Sequence, residues 1–111
     1  MHAWIKDFPA AITVCDRDGI ILEMNAKACA TFASEGGAAL IGTSLFACHN
    51  PHSVAAIKEM LATGGKNVYT IEKRGVKKLI YQHPWYQDGQ IAGLVEISLE
   101  IPETMAHHVR S

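Results

Sequence analysis

Cys48, His49 and His52 stand close together in Phe46-Ala47-Cys48-His49-Asn50-Pro51-His52, with Cys29 upstream. Thiolate and imidazole are the side chains that hold zinc, but structural zinc sites draw them as spaced pairs, C-x₂₋₄-C or H-x₃₋₅-H. No second pair follows, so a metal centre is not expected. Cys48 and His49 are adjacent and are expected to point apart, and adjacent residues rarely make the thiol–base hydrogen bond of an activated nucleophile. The simpler roles are Cys48 as a small buried apolar residue and His49 as a brace where the next helix begins. The carboxylates offer no acid–base pair either. Asp16 and Asp18 belong to a turn, and Glu96 and Glu100 are expected on the outward face of the last strand. The chain is not expected to be an enzyme. Tyr81, Gln82, His83 and Trp85 mix polar groups into a strand pattern. If Ile80 and Gln82 face the helices, the Gln82 amide can orient a ligand. A slip of one residue hands that role to Tyr81 and His83. Equally, Tyr81 and Trp85 can cover an outer sheet face at a dimer contact.

The elements that position these groups follow from periodicity. Trp4, Ile5 and Phe8 gather on one side of a short N-terminal piece that Pro9 stops. Too short to stand alone, residues 1–10 are expected to cap the sheet or pack on a partner copy. Ala11–Asp16 alternates, Asp18-Gly19 marks a turn, and Ile20–Met24 alternates again, with Ile20, Leu22 and Met24 expected on one face. Asn25 is placed to cap the Ala-rich helix 26–33, whose inward stripe is Ala28, Cys29 and Phe32. Gly36-Gly37 ends it, and Leu40 to Phe46 is read as one-turn pieces. Asn50 and Pro51 begin the best-marked helix, with Val54, Ile57, Met60 and Leu61 at helical spacing and Gly64-Gly65 as its stop. The period then becomes twofold over 67–73, 76–86 and 91–101. In the last run Ile91, Val95, Ile97, Leu99 and Ile101 are expected to share one face. Pro84 implies a bend or bulge, and 102–111 is a polar tail.

At 111 residues this is one domain, 11–101 between the cap and the tail. With 49% hydrophobic and 19% charged residues, a disordered chain is excluded. A net charge of -1 gives no basic footprint for nucleic acid or anionic lipid. Three cysteines without paired spacing argue against a disulfide framework. With no signal or spanning segment in the sequence, a cytoplasmic location is expected.

Three stretches in order carry a resemblance to the PAS domain family. Ile20-Ile21-Leu22-Glu23-Met24-Asn25 matches an apolar strand ending in Asn. Leu40-Ile41-Gly42-Thr43-Ser44-Leu45 is similar to the family's (L/I)-(I/V)-G-x-(S/P)-(L/F) stretch. Asp88-Gly89-Gln90-Ile91-Ala92-Gly93 is similar to D-G-x-x-x-G before the last strand. The likeness spans roughly residues 9–102. Cys48-His49-Asn50-Pro51-His52-Ser53 further resembles the C-H-x-P-x-S of a bacterial regulatory subgroup. Glu100-Ile101-Pro102 departs from the D-I-T that couples many relatives to an effector domain.

The resemblance implies an α+β fold, a five-stranded antiparallel sheet with short helices across one face. It also implies a sensory module that binds a small ligand or a signalling protein and works as a homodimer; on charge and hydropathy, neither nucleic acid nor membrane is expected as a partner. Pocket candidates are Met24, Cys29, Phe32, Phe46, Cys48 and His49 from the strand end and helix cluster. Ile57 and Met60 join them from the long helix, and Ile71, Ile80 and Gln82 from the sheet. Trp4, Ile5, Phe8, Tyr81 and Trp85 are the dimer candidates. Haem is the alternative cofactor, with His49 or His52 as axial ligand. Photoreceptor flavin is set aside, because the N-C-R-F-L-Q setting is missing around Cys48. A purely structural dimerisation domain with a filled interior is the second alternative.

Overall fold

The computed structural model describes residues 1–47 and 49–111, so readings that fall on Cys48 lie outside the described residues. A short helix α1 (Ala3–Lys6) precedes strands β1 (Ala11–Asp16) and β2 (Ile21–Met24), which form the expected hairpin. Its turn is held by Asp16, whose carboxylate accepts from the Asp18 and Ile20 N–H groups at 2.9 and 3.0 Å. A bulge sets Val14 opposite Glu23 but Cys15 opposite Ile21, leaving Leu22 as the extra residue. That corrects the expected facing of β2. Ile21 and Met24 turn inward and Leu22 is exposed, while Ile20 bridges to Ser44.

Asn25 follows β2 and is fully buried. Its side-chain oxygen caps helix α2 (Ala26–Thr31) by accepting from the Ala28 N–H, and also accepts from the Ile12 N–H of β1. Its amide donates to the Ala10 and Ile5 carbonyls at 2.8 and 3.1 Å, and more loosely to Phe8 at 3.4 Å. One side chain thus ties the N-terminal segment, the sheet and α2 together. Three 3₁₀ turns follow (Ala33–Glu35, Gly37–Leu40 and Leu45–Ala47), as the close glycine spacing required.

Helix α3 (Pro51–Thr63) starts as read: the Asn50 side chain accepts from the Ser53 N–H at 2.9 Å, Pro51 occupies the first turn, and Gly64 closes it left-handed. Ile57, Met60 and Leu61 are buried, with Val54 at the margin. Strands β3 (Asn67–Lys73), β4 (Val76–Gln87) and β5 (Gln90–Ile101) complete the sheet. Asp88 and Gly89 both have positive φ, 53° and 78°, which gives the tight β4–β5 turn the twist that hairpins need.

The strand order is β2-β1-β5-β4-β3, with every pairing antiparallel. This is the α+β architecture expected, with the helices on one face of the sheet. The core lies between them, built from Cys15, Ile21, Met24, Ala28, Ile57 and Leu94 among others. Among the described residues no helix is long and apolar enough to cross a membrane.

β5 departs from expectation in its facing. Thr13 and Cys15 are buried toward the helices and pair with Glu96 and Leu94. Leu94, Glu96 and Ser98 therefore face the helices, and Val95, Ile97 and Leu99 face away. Glu96 is inward, not outward: the alternation was read correctly, but the apolar side is not the helix side. Ile91 also leaves the shared face. The register shifts after Trp85, so Trp85 pairs with Gly93 and Tyr86 with Ile91, and Ile91 packs against the core. The shift falls just beyond Pro84, close to the bend that residue implied. Gly93 is required where it sits. A Cβ there would meet the Cys15 carbonyl oxygen at 1.8 Å, and the Trp85 indole lies across the same spot, donating to that oxygen at 3.0 Å.

Candidate functional site

Register places one row of residues straight across all five strands beneath the helices: Met24, Thr13, Glu96, Gln82 and Asn67. Four of the five are polar, on the face that normally carries the apolar core. Strand pairing brings such neighbours to within side-chain reach of one another. The Asn67 amide donates to the Gln82 carbonyl oxygen at 3.2 Å. This leaves the Gln82 amide hydrogens for Glu96, to which they bond. Gln82 is 5% exposed, and Asn67 and Glu96 on either side of it are half-buried. Burial pushes the Glu96 carboxyl above its ordinary range, against the opposing pull of His49 and the Gln82 hydrogen bond. The Tyr69 phenol, also on the helix side, is pushed up by burial and then by the Glu96 charge.

His49 stands over this row, just before α3. Its Nδ1 bonds to the Leu45 carbonyl at 2.8 Å, which in the neutral ring makes Nδ1 the donor and leaves Nε2 as an acceptor. The cleft beneath divides into three lobes that share His49 as a wall. The apolar lobe, about 140 Å³, is walled by Ile21, Met24, Phe32, Leu40 and Leu45, with Thr13 and Glu96 as its floor and Glu35 at its edge. An outer lobe of about 260 Å³ runs past Tyr69, Ile71 and Ile80 to Lys73 and Lys78. The third, about 280 Å³, is polar and lies along the start of α3, with His52, Ser53, Asn67 and Gln82.

Of the residues singled out from the sequence, Met24, Phe32 and His49 line the apolar lobe, and Ile71 and Ile80 the outer one. Ile57, His52 and Gln82 line the polar one. The facing of β4 is the first of the two alternatives: Ile80 and Gln82 inward, Tyr81 and His83 outward. Met60 lies in the core and Cys29 packs against it, so neither is in the cleft wall. Phe46 packs beside them, with the Lys58 ammonium 5.1 Å from its ring centre. Trp4 is 72% exposed and Phe8 51%, on the N-terminal segment; the Ile5 side chain is half-buried beside them. Tyr81 is exposed on the outer face, whereas the half-buried Trp85 spends its N–H on Cys15.

The sequence reading missed Glu96, Thr13, Asn67 and Tyr69 as site residues. A signal was available. Counting back from the Arg74-Gly75 turn places Asn67 opposite Gln82, and a lone carboxylate between Val95 and Ile97 is unusual on a central strand.

Among the described residues, no three His, Cys, Asp or Glu side chains gather as a metal site would need. His49 has the supporting bond that an axial haem ligand carries. The surroundings do not match: the apolar lobe is about 140 Å³, below the roughly 300 Å³ at which pockets begin to enclose drug-sized ligands. The larger lobes interleave Ile71, Ile80 and Ile57 with Lys, Tyr, Asn and Gln, where a macrocycle needs continuous apolar walls, and Glu96 stands in the floor of the outer one. These residues do not fit haem.

An antiparallel sheet of this order, roofed on one face by short helices, defines a class of sensory folds. A family model described as PAS fold matches residues 5–106, and the chain belongs to that family. Solved structures agree. A C-terminal domain from Streptococcus mutans superposes with a TM-score of 0.71 at 19% identity, over 86% of this chain and 78% of that one. A PAS domain from Colwellia psychrerythraea gives 0.67 at 19% identity, over 88% and 91%. The Aer2 receptor of Vibrio cholerae, described as a dual PAS-heme oxygen sensor, gives 0.63 at 14% identity, over 84% and 95%. No curated protein matches the chain in sequence.

Proposed function

We propose that this PAS domain is a non-catalytic sensory module. A small molecule with an apolar body and a hydrogen-bonding head occupies the cleft between the sheet and α2–α3. The observation that carries this reading is the polar row Thr13–Glu96–Gln82–Asn67 under His49, beside an apolar lobe. Buried polar groups in a core cost stability unless they serve another end, whereas in a cleft a few of them give orientation and specificity. The cleft favours a binding module over an interior filled by side chains.

The response passes to the far side of the sheet. Ile12, Ile97, Tyr81 and Val68 form an apolar row there, back to back with the polar one. With the exposed Trp4 and Phe8 it supplies the surface on which a second copy docks. A reducing cytoplasmic compartment suits the free thiols Cys15 and Cys29. Native mass spectrometry of the protein as purified tests the binding reading: a bound small molecule, released on unfolding, is expected. An empty spectrum, together with unmoved amide signals for Thr13, Gln82 and Glu96 across a fragment library, overturns it.

A further inference from the structure

We propose that the ligand is a small organic cation, an ammonium group on an apolar body about the size of a benzene ring, with Glu96 as its counter-charge. This rests on the binding reading above and adds the chemical class.

Charge is the first argument. Glu96 and Glu35 line the apolar lobe, and no lysine or arginine does. The ion pair found among the described residues joins the Met1 ammonium to Glu23; no lysine or arginine is paired with Glu96, whose one basic neighbour is the His49 imidazole. Lys73 and Lys78 reach only the outer lobe. Two carboxylates facing a single imidazole leave the lobe with an excess of acidic groups, and proteins normally pair such charges when they are drawn out of water. A neutral ligand leaves that excess in place, and an anion deepens it.

The direction of the hydrogen bonds is the second. Asn67 donates to Gln82, and Gln82 in turn donates to Glu96, so both amides point their donors toward the carboxylate. Such a relay supports the ionised form and leaves the remaining carboxylate lone pairs as acceptors for a ligand. His49 adds another: with Nδ1 given to Leu45, its neutral ring offers Nε2. An ammonium has three donors and no acceptor, the complement of this set.

Size is the third. The lobe is about 140 Å³ and its side walls are aliphatic and aromatic. An engineered apolar cavity of about 150 Å³ takes benzene.

Benzylamine is the probe, with benzyl alcohol and benzoate as controls of matching shape, titrated calorimetrically into the intact protein near neutral pH. Benzylamine is expected to bind saturably and about tenfold or more tighter than the alcohol, with benzoate silent. Glu96→Gln, which keeps the shape and an accepting oxygen, is expected to remove that preference while its amide NMR spectrum stays that of the folded domain. If benzyl alcohol or benzoate binds as well as benzylamine, or if Glu96→Gln leaves the preference intact, the cation is overturned and the cleft reading stands. Silence from all three probes overturns the cation, and the native mass measurement then decides the cleft separately.

Discussion

Gln82 lies directly opposite Glu96 on the neighbouring strand and donates to its carboxylate, while accepting from Asn67 on its other side. The bond works against the burial that pushes the carboxyl up, so removing it has a sign. Gln82→Leu is expected to raise the Glu96 pKa further, measured by following the Glu96 side-chain carbon through an NMR titration. An unchanged midpoint would mean that the relay does not reach the carboxylate.

Glu96 also makes stability depend on pH. Its folded-state pKa lies above the ordinary 4.5, so the folded protein holds that proton more tightly than the unfolded chain does. The contribution is therefore present in full below about pH 4.5 and is lost as pH rises through the folded value. Glu96→Gln is expected to be more stable than the parent near neutral pH, by up to about 1 kcal/mol or a few degrees in Tm. That advantage should vanish in acid. Thermal melts of both proteins across pH check it, and a constant difference would refute the assignment.

Asn25→Ala is expected to be among the most damaging single changes, costing about 3–5 kcal/mol in urea unfolding. It strands the Ile12 N–H and the Ala10 carbonyl, and uncaps α2. Asn25→Asp separates the two halves of the role: it keeps both accepting bonds but aims a carboxylate at the Ala10 carbonyl. A variant as stable as the parent would show that the donated bonds contribute little.

Gly93→Ala tests the tightest approach in the sheet. The added methyl meets a backbone oxygen, not a movable side-chain tip, so a loss of about 3 kcal/mol or more is expected from the strain of overpacking. Trp85→Phe keeps one aromatic ring but forfeits the bond to Cys15 and the packing of the second ring, which predicts a smaller loss of about 1–2 kcal/mol. Chemical denaturation ranks the two, and equal losses would contradict the account.

Ile97→Glu puts a charge in the middle of the outer apolar row, opposite Ile12 and Tyr81. The core lies on the other side of the sheet, so the fold is expected to survive while a dimer of the parent dissociates. Sedimentation velocity at matched concentrations reads this out. A variant that stays dimeric would place the interface elsewhere.

Local signals in the sequence reached far into this fold. Asn25 and Asn50 precede helices because short amide side chains satisfy free N–H groups at helix starts. Asp-Gly and Arg-Gly pairs marked the turns because the backbone there must take positive φ. What stayed illegible was facing. An apolar twofold pattern shows that one side of β5 is greasy, and by default that side is assigned to the core. Here Val95, Ile97 and Leu99 are on the outside, and the inner positions are Leu94, Glu96 and Ser98. The bulge residues had the same effect on Leu22 and Ile91, since one extra residue reverses phase and leaves no compositional mark. The floor of the cleft was hidden for that reason: its polar row appears only when four strands are set in register.

The bonds of Asn25 have a mechanical consequence. The first turn of α2 and the carbonyls of Ile5 and Ala10 are fastened to one rigid amide by direct hydrogen bonds. Any tilt of α2 that accompanies filling of the space below must therefore drag the leading segment along. The linkage turns a change of shape inside the domain into a displacement of the chain where it enters, a lever whose fulcrum is a single asparagine.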